Sequence, residues 1–252
     1  SNLTVVSVGA AIQDVFLSNS DEFKPVCLNP EECFMRLDLG SKEDVNNINF
    51  STGGGATNAA VTFARSGMRS IFMGTIGRDP AGQAVLNDLD KNDVDSSHVK
   101  YSEVYNTGYS VLLLAPNGER TILTYRGAST HYQPSDFDLS NINADWLYVS
   151  NLAGNMETLD SLFRQAREKG TKVFFNPGKK ELAQADALKS LLEDVEVLLV
   201  NKEEAQMIVQ GQTVEELVHH LLNFVPVVVV TDGSNGVVAS DGKKEVRAGI
   251  YE

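Results

Sequence analysis

The sequence predicts an α/β fold: a doubly wound, mostly parallel sheet with helices on both faces and a small β-layer beside it. Three observations carry that expectation. Apolar runs of strand length alternate with helix-period segments over most of the chain, as a parallel sheet covered on both faces requires. Two stretches break the alternation and read as β-structure without helices. The 252 residues, 42% hydrophobic and 22% charged, are enough for one large core in a single domain over 1–252.

Taken in order, residues 3–8 read as the first buried strand. Residues 54–66 read as a helix that sets Ala59, Ala60, Phe63 and Ala64 on one face, with Gly67 as its stop. The next strand covers 70–75, after which Asp79-Pro80 supplies an N-cap and a proline at the first helical position. Farther on, β-rich runs at 146–150, 172–176, 195–200 and 226–231 are separated by helical patterns at 156–169, 181–193, 202–209 and 214–224. The two interruptions are 32–49, with strand-like pieces around Leu39-Gly40-Ser41-Lys42, and the runs 109–114 and 121–125 flanking the turn Pro116-Asn117-Gly118. They predict a β-lid built from segments of about 17–52 and 107–125, covering a site at the strand ends or serving as an oligomer contact. Plain edge hairpins are the alternative.

Composition narrows the function classes. Lys plus Arg number 21 against 34 Asp plus Glu, a net charge of −13 whose field repels nucleic-acid backbones, so nucleic acid is not expected as a partner. The longest apolar runs, 227–230 and 111–115, fall far short of the ~18 residues of a membrane span. Ser1-Asn2-Leu3 shows no basic segment leading into an apolar stretch, so no secretion leader is read there. Cys27 and Cys33 have no further cysteine to build a framework with and are expected to be two reduced thiols of a cytoplasmic protein.

The segment richest in chemistry is Ser51-Thr52-Gly53-Gly54-Gly55-Ala56-Thr57-Asn58, at a strand-to-helix junction. Adjacent glycines let a polar ligand approach backbone N–H groups, and Asn58 adds a donor and an acceptor; a tight turn explains the same letters. Neither G-x-G-x-x-G nor a P-loop lysine is present. Asp14, just past the first strand, offers a carboxylate for two hydroxyls at the sheet edge where ligands of open α/β sheets bind, or simply makes a turn. Asn201-Lys202-Glu203-Glu204 reads as a helix cap, and alternatively as two groups holding water around a hydrated Mg²⁺. Thr231-Asp232-Gly233-Ser234-Asn235-Gly236 and Asn176-Pro177-Gly178-Lys179 are strand-end turns where a nucleotide could lie, with Lys179 free to reach a phosphate.

In this order and spacing the segments resemble the PfkB-type carbohydrate kinases of the ribokinase-like superfamily, from Val5 to about Val246. The most specific part is Gly53-Gly54-Gly55-Ala56-Thr57-Asn58 followed by Gly67, Gly74, Gly77, Asp79 and Gly82, with support from Asp14, Arg126-Gly127-Ala128, Asn176-Pro177-Gly178, Asn201 with Glu204, and Thr231-Asp232-Gly233 with Gly236. The resemblance implies ATP- and Mg²⁺-dependent transfer of phosphate to a primary hydroxyl of a sugar or sugar-like acceptor. By it, Asp14, Gly54, Gly55 and Asn58 hold the acceptor, joined by Arg126 and Asn151. Asn201 and Glu204 order the phosphates and, through water, the metal; Asn176, Lys179, Thr231, Asp232, Gly233 and Gly236 line the nucleotide pocket.

Members of that family carry, after strands corresponding to 237–246, a G-A-G-D segment whose Asp is the catalytic base, and no such segment precedes Glu252. The resemblance therefore implies a missing C-terminal part, no catalytic residue within 1–252, and an inactive chain. A nucleoside kinase of the same superfamily and a non-catalytic sugar- or nucleotide-binding homologue are the alternatives. Fructose, ribose, a keto-deoxy sugar acid, a sugar phosphate and a nucleoside all stay open as acceptors, Arg126 favouring an anionic or polyhydroxyl one. A homodimer through the β-lid is a further option.

Overall fold

The computed structural model describes residues 3–18, 21–30 and 32–250. Ser1, Asn2 and residues 19, 20 and 31 of the expected lid lie outside them. The chain opens with β1 (Thr4–Val8), buried along nearly its whole length. It turns through Gly9 into β2 (Ile12–Ser18), then makes the hairpin β3 (Pro25–Asn29) and β4 (Glu32–Met35) before β5 (Asn47–Gly53). Helix α1 (Gly55–Arg65) follows directly and buries Ala56, Thr57 and Ala60. Gly67 ends it at φ +82°: its N–H donates to Ala64 and that of Met68 to Phe63, a Schellman closure that needs the left-handed conformation glycine adopts without penalty.

After β6 (Arg69–Met73) and β7 (Thr75–Gly77), Asp79 caps α2 (Pro80–Lys91), its carboxylate accepting from Gly82 N–H at 2.8 Å with Pro80 in the first turn. Short strands β8 (Val94–Asp95) and β9 (Lys100–Ser102) lead to the hairpin β10 (Gly108–Leu114) and β11 (Arg120–Tyr125). Then the rhythm becomes regular: β12 (Trp146–Val149), α3 (Met156–Lys169), β13 (Lys172–Phe175), α4 (Lys179–Leu182), α5 (Ala185–Leu191), β14 (Val197–Asn201), α6 (Lys202–Ile208), α7 (Val214–Leu221) and β15 (Val227–Thr231). β16 (Val237–Ser240) and β17 (Glu245–Ala248) close the described chain.

The main sheet has the order β17-β16-β15-β14-β13-β12-β1-β6-β8. It is parallel from β15 to β8, and only the β15–β16 and β16–β17 pairings are antiparallel, so β16 alone runs in the reverse direction. From β1 the chain winds outward to β6 and β8 and then returns to β12 on the other side, so the direction of winding reverses between β1 and β12. Ligands of open α/β sheets bind at such a reversal, outside the carboxyl ends of the strands. Helices α1 and α2 share a cluster with Phe72 and Ile76 on one face. On the opposite face, Leu147, Val173, Phe175, Leu198, Val200 and Val228 pack with Leu159, Phe163, Leu188, Leu217 and Leu221 from the second-half helices. Alternate residues of the same strands, such as Phe174, Val197, Leu199 and Val229, stay partly exposed. A second sheet, β11-β10-β2-β5, stands apart from the first, and its β3–β4 neighbour forms a separate two-stranded ribbon. No described helix is long and apolar enough to cross a membrane.

The structure corrects four expectations. Cys27 and Cys33 are bonded to each other, because the β3–β4 register sets them directly opposite across the hairpin. The strand-like pieces around Leu39–Lys42 are irregular backbone with no strand partner, and Leu39 is fully exposed; the strand of that region is Glu32–Met35. The helix expected over 181–193 breaks into α4, α5 and a 3₁₀ turn, since Gln184 has left helical geometry at φ −108°, ψ 47°. Asp14 sits within strand β2 of the second sheet rather than in a loop.

Asp79 also accepts from Thr107 N–H at 2.8 Å, joining the start of α2 to the segment leading into β10. Burial pushes its carboxyl up, but the hydrogen bonds from Thr107 and Gly82 outweigh this and hold it below the ordinary carboxylate range. Asp79→Ala should lower stability by about 1–2 kcal/mol, read from the urea midpoint at neutral pH. Since the folded carboxyl titrates lower than the unfolded one, this contribution is complete above the unfolded value and fades as pH falls through the folded one. Wild type and variant should therefore converge in acid.

Candidate functional site

The glycine run lies where the two sheets meet, and each of its three side-chain positions is occupied by something else. A Cβ on Gly53 would overlap the Asp14 carboxylate, one on Gly54 the Ala10 carbonyl, and one on Gly55 the Ser150 hydroxyl. Gly54 also takes φ +108°, which a side chain would strain. Gly9, beginning the turn after β1, packs against Ser150 and Ala56 in the same way. The ends of β1 and β12, the start of α1 and the first residues of β2 are thus drawn together at the winding reversal. Thr57 fastens the junction by donating its hydroxyl to Gly53 O at 2.7 Å. Asn58 is held one turn into α1 by its N–H to Gly54 O, and its side chain is exposed.

Asp14 pairs in register with Ser51 of β5 and Ser110 of β10. Burial raises its carboxyl above the ordinary value, and the Ser110 hydroxyl works in the opposite direction.

A cavity of about 360 Å³ opens along the same rim, lined by Arg126 at the end of β11, Asn151 after β12, and Gly178, Lys179, Lys180 and Glu181 after β13. Glu181 is wholly buried. It accepts from the backbone N–H groups of Leu152 at 2.5 Å and Gly154 at 3.1 Å with one oxygen, and from Gly178 at 3.1 Å with the other. One carboxylate therefore shapes both loops that border the cavity. A Cβ on Gly178 would lie 2.5 Å from that of Asn151, so the two loops touch there without room for a side chain.

The residues expected to bind nucleotide are divided. Asp232 and Gly236 line a second cavity of about 360 Å³ with Lys202, Thr213, Asn235 and Arg247, and Thr231 lies beside Asn201 in the β14–β15 register. Asn201 and Glu204 form a reciprocal capping box on α6: Glu204 N–H donates to Asn201 Oδ1 at 2.8 Å, and Asn201 N–H donates to Glu204 Oε2 at 2.9 Å. Asn176 turns its amide to Leu199 O at 2.8 Å and so ties β13 to β14. Lys179 lines the Arg126 cavity, away from this second one. Gly233, at φ +51°, forms the turn that follows β15, between Asp232 and Gly236.

The pfkB family carbohydrate kinase profile matches residues 7–250. The chain belongs to the pfkB family of carbohydrate kinases. Among the family's curated relatives, it is 26% identical over 216 residues to a ribokinase of Haemophilus influenzae, covering 81% of this chain and 68% of that one. It is 32% identical over 142 residues to a fructokinase of Salmonella typhimurium, covering 54% and 46%. The chain thus spans between about half and two thirds of the length of these two relatives. Among solved structures, an Arabidopsis thaliana ribokinase complexed with ribose and ATP superposes with TM-score 0.76 at 20% identity, over 99% of this chain and 78% of that one, a likeness that shows the ribokinase fold. The expected inactivity of the chain finds no support in these likenesses.

Sequence reasoning missed Glu181, Ser150 and Ser110. Glu181 had a usable signal, a glutamate three residues past a strand-end glycine and just before an apolar residue. Ser150 and Ser110 had none, because their roles arise from pairing between distant strands. Glu181→Ala leaves three backbone N–H groups facing no acceptor and should cost about 3 kcal/mol in urea unfolding, while Glu181→Gln, which keeps one acceptor, should cost less.

Proposed function

We propose that the protein transfers the terminal phosphate of ATP to a primary hydroxyl of a sugar or sugar-like acceptor. The observation that supports this best is the convergence of the Asp14 carboxylate, the glycine run and Ser150-Asn151 at the winding reversal of a pfkB-family fold. In this reading Asp14, Gly54, Gly55, Asn58 and Asn151 hold the acceptor, and the second sheet shields it from water. The cavity around Asp232, Asn235 and Gly236 takes the nucleotide, where Lys202 and Arg247 add positive charge on its lining. Phosphoryl transfer asks mainly for in-line placement and charge neutralisation, both of which this arrangement provides for.

Mg²⁺, when bound with the nucleotide, supplies neutralisation of phosphate charge. Mg²⁺ keeps several waters when bound, and a single carboxylate beside the phosphates is enough to orient one of them. Glu204 retains one carboxylate oxygen outside the capping box, and that oxygen would orient such a water. The second sheet's exposed Ile48, Phe50, Leu123 and Tyr125 favour a homodimer through this layer.

ADP release should appear only when a sugar or nucleoside from a broad panel is added. Asp14→Ala and Asn58→Ala should raise the acceptor KM roughly 10–100-fold with little change in the ATP KM. Because the Asp14 carboxyl titrates above the ordinary range, acceptor affinity should weaken at a higher pH on acidification than an ordinary aspartate would give. Turnover independent of acceptor, or none with any member of the panel, would overturn the reading.

A further inference from the structure

Three cations gather on the cavity beneath the end of β11 with no carboxylate partner. Arg126, Lys179 and Lys180 line it, all three are exposed, and none of them takes part in the ion pairs found among the described residues. The one acid on the lining is Glu181, whose two oxygens already accept three backbone N–H groups. The local balance is therefore three positive side chains against one internally satisfied carboxylate, within a chain of net charge −13. In a protein so acidic, paired cations are easy to arrange; leaving three unpaired around one concave surface creates a local site for a negative group.

The position says which ligand carries that group. The lining of this cavity shares no residue with that of the Asp232–Gly236 cavity, so the nucleotide's own phosphates have a separate seat. It does continue the acceptor rim: Asn151 follows Ser150, whose hydroxyl fills the side-chain space of Gly55. We infer that the acceptor itself carries an anionic group, a phosphate monoester or a carboxylate, and that Arg126 and Lys179 seat it here and set specificity. This rests on the kinase reading above and deepens it. Arg126 presents a planar fork suited to either oxyanion, and Lys179 adds a movable point charge to the same lining.

Calorimetry of the 252-residue chain without ATP tests this, using fructose against fructose 6-phosphate and glucose against gluconate, each of which keeps a free primary hydroxyl. The charged member of at least one pair should bind tenfold or more tighter than its neutral partner, the phosphate and carboxylate arms showing which oxyanion is preferred. Arg126→Gln and Lys179→Gln should each cut that affinity roughly 10–100-fold and leave the neutral sugar's affinity unchanged. Arg126→Lys should restore part of the loss, and an unchanged thermal midpoint separates lost charge from lost fold. Lys91→Gln, an exposed cation at the end of α2, should change nothing.

Equal affinity for charged and neutral sugars, no binding of any charged sugar, or an Arg126→Gln variant that weakens ATP binding instead would each overturn the inference. Binding is read without turnover, so a protein that prefers the charged sugar yet releases no ADP keeps the inference and sinks only the proposed transfer.

Discussion

The structure depends on an absence of side chains at one crossing. Within three residues, Gly53 to Gly55, the chain leaves the last strand of one sheet and enters the first helix of another layer. Three groups from three other segments occupy the spaces where side chains would stand: the Asp14 carboxylate from β2, the Ala10 carbonyl from the turn after β1, and the Ser150 hydroxyl from the end of β12. Packed interiors do not yield by the volume of a methyl group without moving something larger, and all three of these obstacles are polar. A side chain at this crossing would therefore push the second sheet away from the carboxyl ends of β1 and β12. The same closeness explains the chemistry of Asp14, which is partly buried because the glycines lie against it and for that reason resists ionisation.

Charge operates on two length scales in this molecule. The net −13 is a long-range field, screened over about 8 Å at physiological salt, and it discourages the approach of any polyanion. Inside a concave site the nearest charges dominate, and the two cavities at the strand ends are both supplied with cations, Arg126, Lys179 and Lys180 in one and Lys202 and Arg247 in the other. A net charge that repels a nucleic-acid backbone and cavities whose nearest charges are positive are thus compatible in one molecule. The first concerns encounter over a large surface, the second affinity at a few atoms. Arg247 is partly engaged by Glu215 at 2.6 Å and Glu245 at 2.8 Å, and Lys202 lies 3.9 Å from Asp232, so the second cavity is the more neutralised of the two.

What the sequence revealed follows from which interactions are local. The main-sheet strands, the Asp79 cap, the Gly67 stop and the hairpin at Pro116-Asn117-Gly118 are all specified by residues within a few positions of one another, and all are found. The glycine run could be read as a ligand-approach site because adjacent glycines are unusual in themselves. That its side-chain spaces are filled by Asp14, Ala10 and Ser150 could not, since those contacts join residues as far as 95 positions apart in different sheets. The separation of Lys179 from the Asp232 cavity was hidden for the same reason: both follow strands of one sheet, and only the strand order places β12 and β13 nearer β1 than β14 and β15. Asn176 and Glu204 show the opposite case, where a local or neighbouring-strand partner, Leu199 O or the Asn201 N–H, takes up a side chain that its position alone made available to a ligand.

The two cysteines expose the weakness of counting. A pair of cysteines six residues apart gives no framework by number, and the expectation of reduced thiols came from base rates of compartment. Pairing is decided instead by register: a hairpin that sets Cys27 against Cys33 leaves their Cα atoms 4.0 Å apart, and the bridge then follows from proximity. The hairpin is short and largely exposed, with few buried contacts to hold two strands that would be marginal alone, and the covalent tie fixes their register. The compartment inference drawn from the thiols loses its footing, because it needed them free. The family assignment is untouched, since it rests on a match over residues 7–250 and on motif residues outside that ribbon.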